Sequence, residues 1–359
     1  MARSHKKITH TGGVVAAVLA FALAFAACSS NASTGSSGTS TGSSGTSTGS
    51  SSKSTSGNYK IVFMPKSLGN KYFQASDAGG KTAIQEFGGT YSEASGTTAS
   101  PTSQSPYIQT AIQHGVGAIV LAANDPQAVC NDLQQAQAAG IKVVTFDSDT
   151  NCRNIFVNQV TVQAVADGLV KLVVDHLGSA GGKIGIESGG PNATNLNAWI
   201  DAIKKDLTKY PNIQIVDEVY GNDVDQDSYN AAQGLIQAHP DVQAIIAPDS
   251  VASKEAAHFL SDHPQYKGKI WLTGLGLPSE LRDYVHSGVV ESFGVWDVGN
   301  LGYLAAYAAK ALIDGKITGK QGDTFTAGKL GTYTVAAHGE IDLGPLLVID
   351  KSNVDKYDF

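Results

Sequence analysis

Ala118-Ile119-Val120-Leu121-Ala122 and Ile141-Lys142-Val143-Val144-Thr145-Phe146 are short apolar runs, rich in β-branched residues and of strand length. Between them, Asp125-Pro126 offers a helix N-cap followed by proline at the first helical position, and Gly140 offers a stop. Strand, helix and strand in so short a span make a βαβ unit, whose two strands run parallel in one sheet.

Working outward, the alternation recurs on both sides. Lys60 to Met64 reads as a strand, Phe73 to Phe87 as a helix closed by Gly88-Gly89, and Tyr107 to His114 as part of a second helix stopped by Gly115. Downstream, the pattern predicts helices over 164–177, 199–209, 229–239, 253–261 and 301–314. It predicts strands over 183–186, 213–216, 244–247, 270–273 and 289–295. Two consecutive sets of βα units suggest two similar α/β lobes, each a doubly wound parallel sheet covered by helices on both faces. The length of 359 residues also exceeds what one core requires.

Hydrophobic residues make up 42% and charged residues 16% of the chain, an ordinary globular balance. The net charge of −7 argues against a nucleic-acid surface, which needs clustered Lys and Arg.

The first 28 residues read as an address. Arg3, Lys6 and Lys7 form a positive start, and Val14 to Ala27 an apolar run. That run is shorter than the roughly 20 residues a spanning helix needs, so it reads as a signal-peptide core. It ends in Phe25-Ala26-Ala27-Cys28, which is similar to a lipobox with Phe in the usual place of Leu. Cys28 is then the expected lipidated N-terminus, and an extracytoplasmic, membrane-anchored location follows. Residues 29–57, almost wholly Ser, Thr and Gly, read as a flexible tether.

Cys130 and Cys152 remain. The helix of a βαβ unit begins at the sheet edge where the next strand ends, so both are expected at the carboxyl edge, within bridging reach. Export favours a disulfide there. It would close a loop of about 20 residues, worth roughly 3 kcal/mol.

Ligands of open α/β sheets bind beyond the carboxyl ends of the strands. There the first lobe offers Lys66, Asn124, Asp125, Asp147, Asp149, Asn158 and Gln159, with Tyr72 and Phe73 where the first strand meets its helix. The second offers Ser188, Pro248, Asp249, Ser250, Trp296 and Asp297, with Asn195 and Asn197 in the loop before a helix starting at Trp199. Carboxylates, amides and one ammonium suit the paired hydroxyls of a polyol, and aromatic faces suit a sugar ring. Each residue taken alone also has a structural reading: Asp125 and Asn195 as helix caps, Trp296 as core. Calcium-loop spacing is missing around Asp147 to Asp149, so no metal is expected.

Phe63-Met64-Pro65-Lys66, Phe146-Asp147-Ser148-Asp149, the Cys130 and Cys152 pair, Ile245 to Asp249, Phe293 to Asp297 and the closing Val354 to Phe359 together resemble the periplasmic sugar-binding proteins of ABC importers. The similarity is to their autoinducer-2 and rhamnose branch, and it runs from Tyr59 to Phe359. It implies a type I binding-protein fold with three hinge crossings, 58–160 with 298–327 forming one lobe and 161–297 with 328–359 the other. It also implies a monomer that delivers its ligand to an ABC permease, without cofactor. Of the branch's ligand contacts, a Lys and the first Asp of Asp-Ser-Asp match Lys66 and Asp147. Pro248 matches a Pro, and Ser250 stands where the branch has Ala. Asn195-Leu196 replaces an adjacent Asp-Gln pair, removing a charge and an amide while adding an apolar edge. A deoxy sugar such as rhamnose, or another monosaccharide or polyol, is therefore expected ahead of autoinducer-2.

No enzyme signature competes. A nucleophile elbow, a phosphate loop and a zinc-type His pair are missing, and the nine His residues are scattered. A sugar-responsive DNA regulator would need a helix-turn-helix where this chain has a leader and tether. A sensor that presents its ligand to a membrane receptor would have the same site.

Overall fold

A computed structural model describes residues 57–359. The leader, Cys28 and all of the tether before Gly57 lie outside the described residues.

The first eight elements are β1 (Lys60–Met64), α1 (Lys71–Glu86), β2 (Thr90–Glu93), α2 (Ser105–Gln113), β3 (Ala118–Leu121), α3 (Cys130–Ala138), β4 (Lys142–Phe146) and β5 (Ile155–Asn158). Next come α4 (Val162–Leu177), β6 (Gly182–Ser188), α5 (Thr194–Leu207), β7 (Ile213–Tyr220), α6 (Asp225–Ala238), β8 (Ala244–Ala247), α7 (Ser250–Asp262), β9 (Trp271–Gly274), α8 (Pro278–Ser287) and β10 (Ser292–Val295). The chain closes with α9 (Val298–Ile313), β11 (Thr324–Thr326), β12 (Thr332–Thr334), β13 (Glu340–Asp342) and β14 (Leu347–Asp350).

The first sheet has the order β2-β1-β3-β4-β5-β13, all parallel. The second runs β7-β6-β8-β9, also parallel. A bridge between Leu275 and Gly294 continues it to β10, which pairs antiparallel with β14. Both sheets share one doubly wound order, with a switch point between β1 and β3 and between β6 and β8, where crevices open at the carboxyl edge. The central strands β3 and β8 are buried throughout, as helices on both faces require.

Three crossings join the sheets: at 159–161 between β5 and α4, at 296–297 between β10 and α9, and at 343–346 between β13 and β14. The last corrects the expected boundary at 327/328. β13 takes the free edge beside β5, so the chain stays with the first sheet through Asp342. The helix α9 returns to pack on α1, and backbone meets backbone there. A Cβ on Gly302 would stand 1.8 Å from the Ser76 carbonyl, and one on Gly79 1.8 Å from that of Gly299.

Two local readings also change. Asp125 Oδ1 accepts from the Gln127 and Ala128 N–H groups at 2.8 Å each, but it caps a turn, and α3 starts only at Cys130. Asn195 and Asn197 lie inside the first turn of α5 rather than in a loop before it. Cys130 and Cys152 are paired, with Cα atoms 5.3 Å apart.

Candidate functional site

The two carboxyl edges face each other across one cavity. From the first lobe come Lys66, Asn70, Tyr72, Phe73 and Asp147, and from the second Asn195, Leu196, Trp199, Asp223, Pro248, Asp249, Ser250, Leu275 and Gly276. Gly294, Val295 and Trp296 lead into the second crossing.

Helix starts hold several of these. Asn70 caps α1, its side chain accepting the Tyr72 N–H at 2.9 Å, and Asp249 caps α7 by accepting the Ala252 N–H at 2.9 Å. Lys66 follows β1 after Pro65. Its backbone carbonyl accepts from Asn124 Nδ2 at 3.0 Å, so Asn124 positions the lysine from outside the cavity. Asp147 follows β4 with φ at +60°, and the Ser148 N–H donates to the Phe146 carbonyl across it at 2.7 Å. A side-chain-bearing residue in that region is strained, and such strain concentrates at functional sites.

The polar end is a bonded chain. The Lys66 ammonium lies 3.2 Å from Asp147 Oδ2 and donates to Asn195 Oδ1 at 3.3 Å, linking the two lobes. Gln159 Nε2 donates to Asp147 Oδ1 at 3.1 Å. Burial alone would lower the Lys66 ammonium, but the carboxylates of Asp147, Asp223 and Asp249 outweigh it and the net shift is upward, so the lysine stays charged. Burial first, then the Asp147 charge, push the Tyr72 phenol well up, so it stays a neutral donor. A buried ion pair adds little net stability. What it supplies is a fixed array of donors and acceptors along one wall of the cavity.

The other wall is apolar and aromatic. Trp296 Nε1 donates to the Tyr72 hydroxyl at 3.1 Å, and the two rings meet edge to face at 6.0 Å. Trp199 leans on Trp296 at 5.8 Å, and Leu196, Leu275 and Val295 complete the surface.

Two expected site residues stand elsewhere. Asn197 turns away and donates to the Pro191 carbonyl at 2.8 Å. Asp297 is committed to capping α9, both its oxygens accepting from Asn300 at 2.8 Å. Asp149 and Asn158 also face away from the cavity. Asp149 pairs with Arg153 at 2.8 Å, and Asn158 Nδ2 donates to Glu340 and Asp342 on the neighbouring strand β13. Asn70, Trp199, Asp223 and Leu275 were missed by the sequence reading.

Residues 61–317 match the periplasmic binding protein domain. The chain belongs to that family. Among solved structures, a sugar ABC transporter protein from Actinomyces odontolyticus is 44% identical, with 84% of this chain and 97% of that one covered and a TM-score of 0.67. A solute-binding protein from Clostridium phytofermentas with bound L-rhamnose is 34% identical, covering 84% and 98%, with a TM-score of 0.80. An AI-2-bound protein of Clostridium saccharobutylicum is 26% identical, covering 84% and 100%, with a TM-score of 0.80. This periplasmic binding protein spans 58% and 63% of the length of the curated relatives it matches. Its relatives are solute-binding transport proteins.

Proposed function

We propose that this periplasmic binding protein is the substrate-binding lipoprotein of an ABC importer. It takes a small uncharged sugar, rhamnose-like or another monosaccharide or polyol, into the cavity between its lobes. The observation that carries this reading is the pairing of the Lys66–Asp147–Asn195 chain with an aromatic wall in one cavity. Such a site meets hydroxyls on one side and the C–H face of a ring on the other. Leu196 favours a deoxy sugar, because its buried side chain offers a methyl group contact and no hydrogen bond. The relative holding L-rhamnose supports the same class, and the AI-2-bound relative makes autoinducer-2 the ligand to test against it. Lys66, Tyr72, Phe73, Asp147, Asn195, Leu196, Pro248, Asp249, Ser250 and Trp296 are the proposed ligand contacts. In this reading Cys28 carries the lipid, residues 29–57 give the protein reach from the membrane, and the monomer hands its ligand to the permease.

Thermal shift against L-rhamnose, D-ribose, other neutral sugars and AI-2 tests this. A true ligand at 100 times its dissociation constant adds about 2.7 kcal/mol and a clear rise in Tm. A rise with AI-2 alone would contradict the sugar, and a rise with none of these would contradict the class.

A further inference from the structure

Two carboxyls at the second-lobe end of the cavity have no salt-bridge partner among the described residues: Asp223 and Asp249. Asp223 lies in the turn after β7, where Asn222 and Asp223 take left-handed backbone in succession, at φ +56° and +55°. Successive left-handed residues of this kind persist where the surroundings enforce them. Here the Gly221 N–H donates to the Ser188 carbonyl at 2.8 Å and the Asn222 N–H to that of Gly189 at 3.2 Å. Asp249 is held from the other side by its cap on α7. Gly189 leaves the space where the two meet, since a Cβ there would stand 2.6 Å from Asp223 Oδ1 and 3.1 Å from Asp249 Cγ.

The charges around this pair are mostly of one sign. Lys66 reaches it from the β1–α1 loop, but its ammonium already bonds Asp147 from β4. Glu187 on β6 lies within Coulombic reach of Asp249 and of Glu255 on α7, and Glu255 is itself paired with Lys254 and His258.

We propose that Asp223 and Asp249 share one proton and offer it, with the lone pairs beside it, to a hydroxyl of the ligand, so that the site takes uncharged sugars and rejects sugar acids. Asp249 is buried and Asp223 partly so, and of two carboxylates held side by side away from bulk water one keeps its proton against the charge of the other. Burial first, then the charge of Asp223, push the Asp249 carboxyl well above its usual range. The protonated member donates and its partner accepts, which matches one sugar hydroxyl. A uronate would bring another carboxylate to a pocket whose single ammonium is already engaged. The inference deepens the sugar reading and rests on it for its ligand.

Carbon-detected NMR of the ligand-free protein, labelled at Asp, followed from about pH 5 to about pH 9, tests the proton directly. One carboxyl of the pair should remain protonated above neutrality, and Asp223→Asn should lower its midpoint. Ionisation of both by about pH 5 would overturn the proposal, with or without a ligand. Calorimetry with L-rhamnose and D-glucuronate tests the use of the proton. L-rhamnose affinity should fall about tenfold per pH unit above the midpoint, flatten in Asp223→Asn, and exceed that of D-glucuronate about a hundredfold or more. Equal binding of the two, or a flat wild-type profile, would overturn it. A shared proton with no binding of any neutral sugar would contradict the sugar reading while leaving the proton in place.

Discussion

Asp147 sits at the junction of three constraints: a strained backbone, the Lys66 ammonium and the Gln159 amide. Asp147→Ala leaves a buried lysine unpaired and removes an acceptor, which costs about 2–5 kcal/mol, and sugar affinity should fall roughly a hundredfold by calorimetry. Asn197→Ala should leave affinity unchanged, because that side chain bonds the Pro191 carbonyl outside the cavity. Glu187 gives a pH prediction. It is fully buried and neither of its carboxyl oxygens has a partner. Burial, then Asp249 and Glu255, push it well above its ordinary value of 4.5. The folded state therefore keeps a proton that the unfolded chain has released. That contribution to stability is complete below the ordinary value and is lost as pH rises through the native one. Glu187→Gln should raise Tm at alkaline pH by about 1–3 kcal/mol equivalent and flatten the decline. A Tm profile parallel to wild type would contradict this. Lys66, Asp147 and Pro248 were legible because each lies within two residues of the end of an apolar strand. Asp223 was not, because β7 runs to Tyr220, well past its apolar stretch, before the turn that carries it. Asn197 failed for helical reasons: α5 starts at Thr194, so Asn195, Leu196 and Trp199 share a face that Asn197 opposes.

The helix α9 leaves the second crossing and packs on α1 in the first lobe. Gly302→Ala forces a methyl group against the Ser76 carbonyl, and should cost about 1–3 kcal/mol in denaturant unfolding, more than an exposed Gly→Ala change. The Cys130–Cys152 pair closes a sequence separation of 22 residues. Cys130→Ser should lower stability by roughly 3 kcal/mol, and peptide mapping without reductant should recover the linked pair. Intact free thiols would contradict the pairing. The βαβ alternation was readable because buried parallel strands are continuous apolar runs, as in β3 and β8. The strands β11, β12 and β13 were not, each being three residues long with a single large apolar residue. The helix α8 did carry one, Pro278 at its start and Gly288 in left-handed conformation after its end, and it went unread.

Closure of the two lobes brings the whole site together. Besides the Lys66–Asn195 bond, Thr194 Oγ1 on α5 accepts the Asp149 N–H at 2.9 Å and lies 3.1 Å from Ser148 Oγ. These contacts join the first lobe to the second, and hinge opening at the three crossings would break them. Thr194→Val should weaken sugar binding by about 0.5–1.5 kcal/mol without touching the cavity. Small-angle scattering should show saturating sugar shrinking the protein, less completely in that variant. Two lobes were visible in the repeated alternation, whereas the place of the third crossing was not, because the return of β13 to the first sheet depends on pairing across the fold. The most direct test is calorimetric titration of L-rhamnose into the wild-type protein and Asp147→Ala side by side. Saturable one-to-one binding that falls about a hundredfold in the variant is the expected result. Equal binding by both proteins would place the sugar outside this cavity and contradict the assignment.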